Sequence, residues 1–341
     1  MFERGIDAMA LSVGSDLPYL TGYEAMPLER LTLGILRADG GPIRIVIPRL
    51  EAARIPDRPG VVTVEPWDET GDPIALSSEL MAGSSTVAVG AQMWSRFLLQ
   101  LEESMAATSF VDATGVMSSL RIIKDPIEIE MLRLAGAAVD RVAGQLADVR
   151  FSGRTERDVA AEVSARTVAE GHQVATFHIV ASGPNGASPH HEPGDRVISV
   201  GDTVVVDFGG RLGGYCSDTT RTFHVGIPDS EVTEVHGVVH AAQQAAVSAV
   251  RPGITGEELD QVARQVIDDA GYGEYFFHRL GHGIGLDGHE DPYLVTGNDL
   301  PLQPGMAFSI EPGIYLAGNL GVRIEDIVVC GDSAADNLNN S

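Results

Sequence analysis

Two cysteines in 341 residues, Cys216 and Cys330, are too few for a disulfide framework, and a chain of this length does not need one. Cations are scarce too: 23 Lys and Arg stand against 48 Asp and Glu, a formal net charge of −25. Nucleic acid and anionic membranes are recognised by clustered Lys and Arg, so both are disfavoured as partners. No stretch approaches the ~18 consecutive apolar residues that a membrane-spanning helix requires. The N-terminus, MFERGIDAMALSVG, has mixed charge and no long apolar run after it, so a soluble cytoplasmic protein is expected. What the chain has in quantity is apolar residues, 44%, enough for one large core or two moderate ones, and ordinary domain sizes favour two.

Residues 1 to 120 read as an α/β unit. Short apolar runs (DAMALSVG, LTLGILRA, IRIVIPRL, VVTVEPW, STVAVGA, TSFVDAT) alternate with helical patches near SSELMAG and SRFLLQLEESM. Asp125-Pro126 has the form of an N-cap followed by proline at the first helical position, and the helical period runs on to about residue 149. A second domain, residues 121 to 341, therefore opens on a long helix.

That second domain repeats itself at an offset of 100 residues. Gly153-Arg-Thr155-x-x-Asp158 matches Gly253-Ile-Thr255-x-x-Glu258, each a capping box in front of an amphipathic helix. The helices end at Gly171 and Gly271, and Phe177-His178 returns as Phe277-His278. Two structural halves related by duplication are expected. The first half continues into the strands TVVVDFGG and YCSDTTRTF, the second into MAFSIEPGIY and VRIEDIVV, so each hairpin is expected to carry one acid per strand: Asp207 and Asp218, then Glu311 and Glu325.

Four carboxylates converging inside apolar strands would repel one another and lose their hydration unless cations compensate them, and two divalent ions supply the matching charge. Between the halves lies HRLGHGIGLDGHE, residues 278 to 290, with three histidines. His278 and His282 have the four-residue spacing of a helical zinc motif, but Gly281, Gly283 and Gly285 make the stretch an extended, close-packed backbone instead.

The segments ASGPNGASPHH (181 to 191), VVVDFGG, YCSDTTRTF, HRLGHGIGLDGHE, SIEPGIY and GVRIEDIVV, taken in order, resemble the pita-bread metallopeptidases, the family of methionine aminopeptidase, aminopeptidase P and prolidase. The resemblance implies an α+β pita-bread catalytic domain with an internal pseudo-twofold repeat, behind a smaller creatinase-like α/β domain that includes DLPYLTGY (16 to 23). It implies metal ligands Asp207, Asp218, His282, Glu311 and Glu325, with Asp218 and Glu325 bridging two ions. Oxygen-dominated ligation with one imidazole suits Mn²⁺ or Co²⁺, with Zn²⁺ an alternative. Such a pair makes a hydroxide nucleophile available near neutral pH, and amide hydrolysis is its natural use. Glu311 is then the proton shuttle, His289 and His190 the donors to the oxyanion or leaving nitrogen, and His278 a site-wall or substrate-orienting residue.

Arg323 and His278 also fit the proline-directed branch, so the expected substrate is a small peptide with proline at its second position. Phe177 and Tyr215 are candidates for the apolar wall that receives the ring. A dipeptidase must also hold a free carboxylate, for which a guanidinium fork is suited. Some prolidases place an arginine after H-E-x-P, but here H-E-D-P is followed by Tyr293, a third candidate for substrate binding, leaving Arg323 or a histidine to hold the carboxylate. The expected activity is Xaa-Pro dipeptidase, with Xaa-Pro aminopeptidase the alternative. A non-catalytic binding module, a metal-free creatinase-like hydrolase and a hydrolase of other small amides or esters are remoter readings. A homodimer contacting through the N-terminal domain is a further implication of the resemblance. Finally, LNN (338 to 340) resembles the start of a turn after which relatives add a segment, so the strand bearing Glu325 is expected to be thinly covered.

Overall fold

The six apolar runs before residue 120 form one mixed sheet in the computed structural model, which describes residues 1–339. Its strands are β1 (Ala8–Leu11), β2 (Leu33–Arg37), β3 (Ile43–Pro48), β4 (Val62–Trp67), β5 (Thr86–Val89) and β6 (Ser109–Asp112), in the order β4-β3-β2-β1-β5-β6. The β1–β2 and β2–β3 pairs are antiparallel and the rest parallel. Helices α1 (Asp16–Thr21), α2 (Pro73–Leu80), α3 (Ser95–Ser104) and α4 (Thr114–Arg121) accompany it. Both faces of the central strands are covered: Ala8, Ala10 and Ile35 pack with Met81 and Leu101, while Met9 and Leu11 pack with Met117. Strands buried on both sides read as continuous apolar runs rather than alternating ones, which is the pattern that marked them in the sequence.

The chain divides into two units, residues 1–120 and 121–341. In the second unit, α5 (Pro126–Leu146) starts where Asp125 accepts hydrogen bonds from the Ile127 and Glu128 amides. Helices α6 (Glu156–Ala169) and α8 (Gly256–Asp269) both begin at complete capping boxes, and α7 (Ser230–Ala249) lies between them in sequence. Each half then has its own core. Val159 and Val163 of α6 pack with Val204, Val206 and Phe208, and Leu259, Ala263 and Ile267 of α8 pack with Val235, Phe308 and Ile310. Burying an aromatic or branched side chain of this kind stabilises by roughly 2 kcal/mol.

The first half is a three-stranded antiparallel sheet, β7 (Val174–Ser182), β8 (Thr203–Leu212) and β9 (Tyr215–His224). The second half departs from the expected pair of long strands. It contains β10 (Gly281–Gly283), β11 (Glu290–Leu294), β12 (Ala307–Ile310), β13 (Gly313–Leu316), β14 (Leu320–Arg323), β15 (Asp326–Cys330) and β16 (Ala335–Asn337). β12 pairs with β15 while β13 pairs with β14, so the chain changes sheets at Glu311-Pro312 and again at Ile324-Glu325. Pro312 has no N–H to continue a ladder, which is why the first break falls there. Glu311 and Glu325 thus sit at the two crossovers rather than within strands.

The expectation of thin cover over Glu325 is corrected. β16 pairs with β15, Leu338 is buried, and Asn339 receives the Ile327 amide at 2.7 Å and donates to Asp140 at 3.1 Å. Residue 340 of the LNN run lies outside the described residues.

Candidate active site

Strand register brings the first two acids together. Asp207 stands opposite Thr220 and Asp218 opposite Gly209, so the carboxylates are diagonal neighbours on one face of the β8–β9 pair. The glycine is required: a Cβ on Gly209 would meet the Phe177 ring at 2.7 Å. The two crossovers deliver the other acids. Glu325 is fixed by its amide donating to the Thr220 carbonyl (3.1 Å) and by the Thr220 hydroxyl donating to its carboxylate (2.7 Å). Glu311 accepts from the Ser309 hydroxyl at 3.1 Å, and that hydroxyl in turn accepts from the His282 amide at 3.0 Å.

His282 sits in β10 because its glycine neighbours allow the backbone in. A Cβ on Gly281 would lie 2.8 Å from the Ser309 hydroxyl, and one on Gly283 would lie 2.6 Å from the Glu290 carbonyl oxygen. The ring pairs Nδ1 with the Gly283 carbonyl at 3.1 Å. That fixes the proton on Nδ1 and leaves Nε2 as a lone-pair donor, 3.3 Å from Glu311 and 3.7 Å from Asp218.

Three overlapping groups have ligand atoms within 4.8 Å of one another: Asp207–Asp218–Glu325, His282–Glu311–Glu325 and Asp218–His282–His289. Burial, then the neighbouring carboxylates, pushes Asp218 and Glu325 well above the ordinary carboxylate range. Burial, only partly offset by Arg323, pushes Glu311 up to about 7. Burial, with the His289 ring beside it, holds His282 down to about 3. The Oδ1 of Asp207 is buried without a hydrogen-bond partner. Oxygen donors with one neutral imidazole, mutually repelling acids and an unpartnered carboxylate oxygen together fit a site for divalent cations.

A cavity of about 570 Å³ opens over this cluster, a volume suited to a small ligand. Of the residues singled out in the sequence, Asp207, Asp218, His282, Glu311 and Glu325 line it, as do His190, His278, His289, Arg323 and Phe177. His289 stacks on His282 with ring centroids 3.7 Å apart, and burial followed by Arg279 lowers its pKa. His278 pairs through Nε2 with the Tyr315 hydroxyl at 2.8 Å, and burial holds its ring down to about 4.

Two aromatic expectations are corrected. Tyr215 does not line the cavity: it is the first residue of β9, three before Asp218, where its hydroxyl donates to Glu128 at 3.0 Å and its ring packs in the cluster of Leu132 and Ile284. Tyr293 does not line it either; its ring lies under the Arg279 guanidinium, whose central carbon is 4.4 Å from the ring centroid.

Arg279 itself was missed, although it stands inside the quoted motif beside His278. It lines the cavity and lies 3.4 Å from His289 Nδ1, and among the described residues no carboxylate forms an ion pair with it. Arg323, by contrast, is committed. It is 3% exposed and donates to Asp207 (2.5 Å), Thr220 (3.2 Å), the Tyr315 hydroxyl (3.1 Å) and the Pro189 carbonyl (3.4 Å). Phe277, 62% exposed, and Ile179 line the cavity along with Phe177. No helix among the described residues is long and apolar enough to cross a membrane.

Comparison with known proteins gives a consistent picture. The profile of metallopeptidase family M24 matches residues 130–332, and that of the creatinase/prolidase N-terminal domain matches residues 1–123. The chain is 46% identical over 343 residues to the probable dipeptidase PepE of Mycobacterium tuberculosis, covering 99% of this chain and 91% of that protein. It is 39% identical over 326 residues to an Xaa-Pro dipeptidase of Lactobacillus helveticus, covering 92% and 87%. The crystal structure of a prolidase from Thermococcus sibiricus superposes with a TM-score of 0.94 at 38% identity, over 100% of this chain and 94% of that one.

Proposed function

The chain belongs to metallopeptidase family M24, and from that footing we propose that it is an Xaa-Pro dipeptidase acting through two divalent cations. Asp207, Asp218, His282, Glu311 and Glu325 would hold the pair, and the donor set favours Mn²⁺ or Co²⁺ over Zn²⁺. When bound, such a pair lowers the pKa of water towards neutrality and polarises the scissile carbonyl.

The chain's own residues do the rest. Glu311 is the group to take the proton of the attacking water and pass it to the departing proline nitrogen. His289 and His190 are the donors for the charge that develops on the carbonyl oxygen, and His278 is backed by the Tyr315 hydroxyl. Phe177, Ile179 and Phe277 offer the pyrrolidine ring an apolar surface that asks for no N–H, which a prolyl nitrogen lacks.

The observation that carries the dipeptidase reading is the contrast between the two cavity arginines. Every nitrogen of the Arg323 guanidinium already donates to the protein, so it has no fork to offer a ligand. Arg279 stands on the cavity wall with its guanidinium over the Tyr293 ring, and its planar set of N–H donors is the one left for a substrate carboxylate. A tripeptide has no carboxylate at that distance from the scissile bond. The test is a panel of Ala-Pro, Ala-Pro-amide and Ala-Pro-Ala with manganese-loaded protein. Ala-Pro should have a kcat/KM at least about tenfold above the other two, the cost of losing one charge-assisted contact. Equal or faster cleavage of Ala-Pro-Ala would make the enzyme an aminopeptidase.

A further inference from the structure

Two of the cavity histidines stand on segments outside the three-stranded sheet: His190 on the strap 183–194 and His278 on the strap 276–280. Each strap is fastened by one buried acid from the helix of its own half. Glu156, the first residue of α6, is fully buried, yet all the hydrogen bonds its carboxylate accepts come from the segment 182–194. Oε1 accepts from the Ser182 amide (2.8 Å), the Ser182 hydroxyl (2.7 Å) and the Asn185 amide group (3.0 Å). Oε2 pairs with His191 Nε2 (2.8 Å) and accepts from the Gly194 amide (3.2 Å).

The second half uses a different position for the same purpose. Asp260 of α8, also fully buried, accepts the Leu280 amide at 2.9 Å and pairs with Arg264, which donates to the carbonyls of Phe276 (2.6 Å) and His278 (2.9 Å). The residue matching Glu156 at the 100-residue offset is Gly256, where a Cβ would lie 2.7 Å from the Tyr293 carbonyl oxygen, so the acid could not be repeated there. Apolar residues would serve a purely structural helix start better, because a buried charge costs several kcal/mol unless its partners repay it. Burial works to raise the Glu156 carboxyl, and the bonds from Ser182, Asn185 and His191 outweigh it and hold it below the ordinary value.

We propose that Glu156 is a positioning residue: by gathering the 182–194 strap around one carboxylate it sets where His190 stands over the cavity, as Asp260 does for His278. Glu156 touches none of the residues that would hold cations, so its influence on turnover runs through the strap. Glutamine at 156 keeps the shape but turns an amino group towards donors that need an acceptor, freeing one end of the strap. The proposal rests on the reading of His190 as a substrate-side donor, and the design separates the two.

The experiment is a double-mutant cycle on Ala-Pro hydrolysis with Glu156→Gln, His190→Ala and both, alongside manganese stoichiometry and Tm for each. Glu156→Gln should lower kcat about ten- to a hundredfold with bound manganese unchanged, the scale of a misplaced catalytic group. In the His190→Ala background it should lower kcat by less than about twofold, because its route of action is gone. His191→Ala, which removes one strap-side partner and leaves the buried acid, should show the same pattern at smaller size and decides the matter if Glu156→Gln does not fold. Equal losses in both backgrounds, a loss of manganese in step with kcat, or full kcat in Glu156→Gln would overturn the proposal. If His190→Ala alone leaves kcat intact, the fault lies with the reading of His190, and the proposal falls with it.

Discussion

Glu311→Gln should make the cation-free protein more stable while destroying its activity. Burial, eased only in part by Arg323, raises the Glu311 carboxyl from 4.5 to about 7 in the folded chain. An acid with a raised folded-state pKa binds its proton more tightly in the fold than in the unfolded chain. Below about pH 4.5 both states are protonated and nothing is lost; between about 4.5 and 7 the fold falls progressively behind; above about 7 the full penalty applies. At about 1.4 kcal/mol per unit that penalty is roughly 3 kcal/mol. The side chain is only 16% exposed, so little of it is screened. Glutamine has the same shape, can still accept from Ser309 and never ionises. In EDTA at about pH 8, urea or thermal unfolding should therefore find Glu311→Gln up to about 3 kcal/mol more stable than the parent, and the two should converge near pH 4.5. Adding manganese at about pH 8 should reverse the order, because the parent gains a ligand set that the variant has lost. A variant that is no more stable than the parent in EDTA at high pH would refute the claim that these acids are crowded for the sake of cations.

Asp218→Ala should abolish hydrolysis and reduce manganese binding below two ions per chain, read by activity and by metal analysis of dialysed protein. Gly283→Ala should destabilise by at least about 2 kcal/mol, since its methyl would run into the Glu290 and Asp291 backbone, and denaturant unfolding measures this directly. Tyr215→Phe should leave KM for Ala-Pro unchanged and cost only about 1 kcal/mol of stability, the bond to Glu128, because the ring lies outside the cavity.

Much of the site was legible because its chemistry is spelled by residue types that have no other business in apolar strands. Asp207 between Val206 and Phe208, or His282 between two glycines, contradicts its surroundings unless a ligand resolves the conflict, and the repeat at an offset of 100 said where to seek the partners. The sheet change at Glu311-Pro312 was harder to see, since MAFSIEPGIY is mostly apolar on both sides of Glu311 and only Pro312 signals the break. Tyr215 was misplaced because a strand's period fixes which face a side chain takes, not how far along the strand the cavity reaches. Arg279 escaped notice because a charged residue beside a histidine is ordinary; its meaning comes from Tyr293 beneath it and from the absence, among the described residues, of a carboxylate partner. Glu156 and Asp260 looked like routine helix acids, and only packing reveals that they face inwards.

The central claim is that carboxylates from both halves of a doubled fold meet to hold two cations. Anomalous diffraction at the manganese edge, from crystals grown with manganese, tests it most directly. Two peaks should appear within the cage of Asp207, Asp218, His282, Glu311 and Glu325, with Asp218 and Glu325 contacting both. An empty cage, or peaks only elsewhere on the acidic surface, would contradict it.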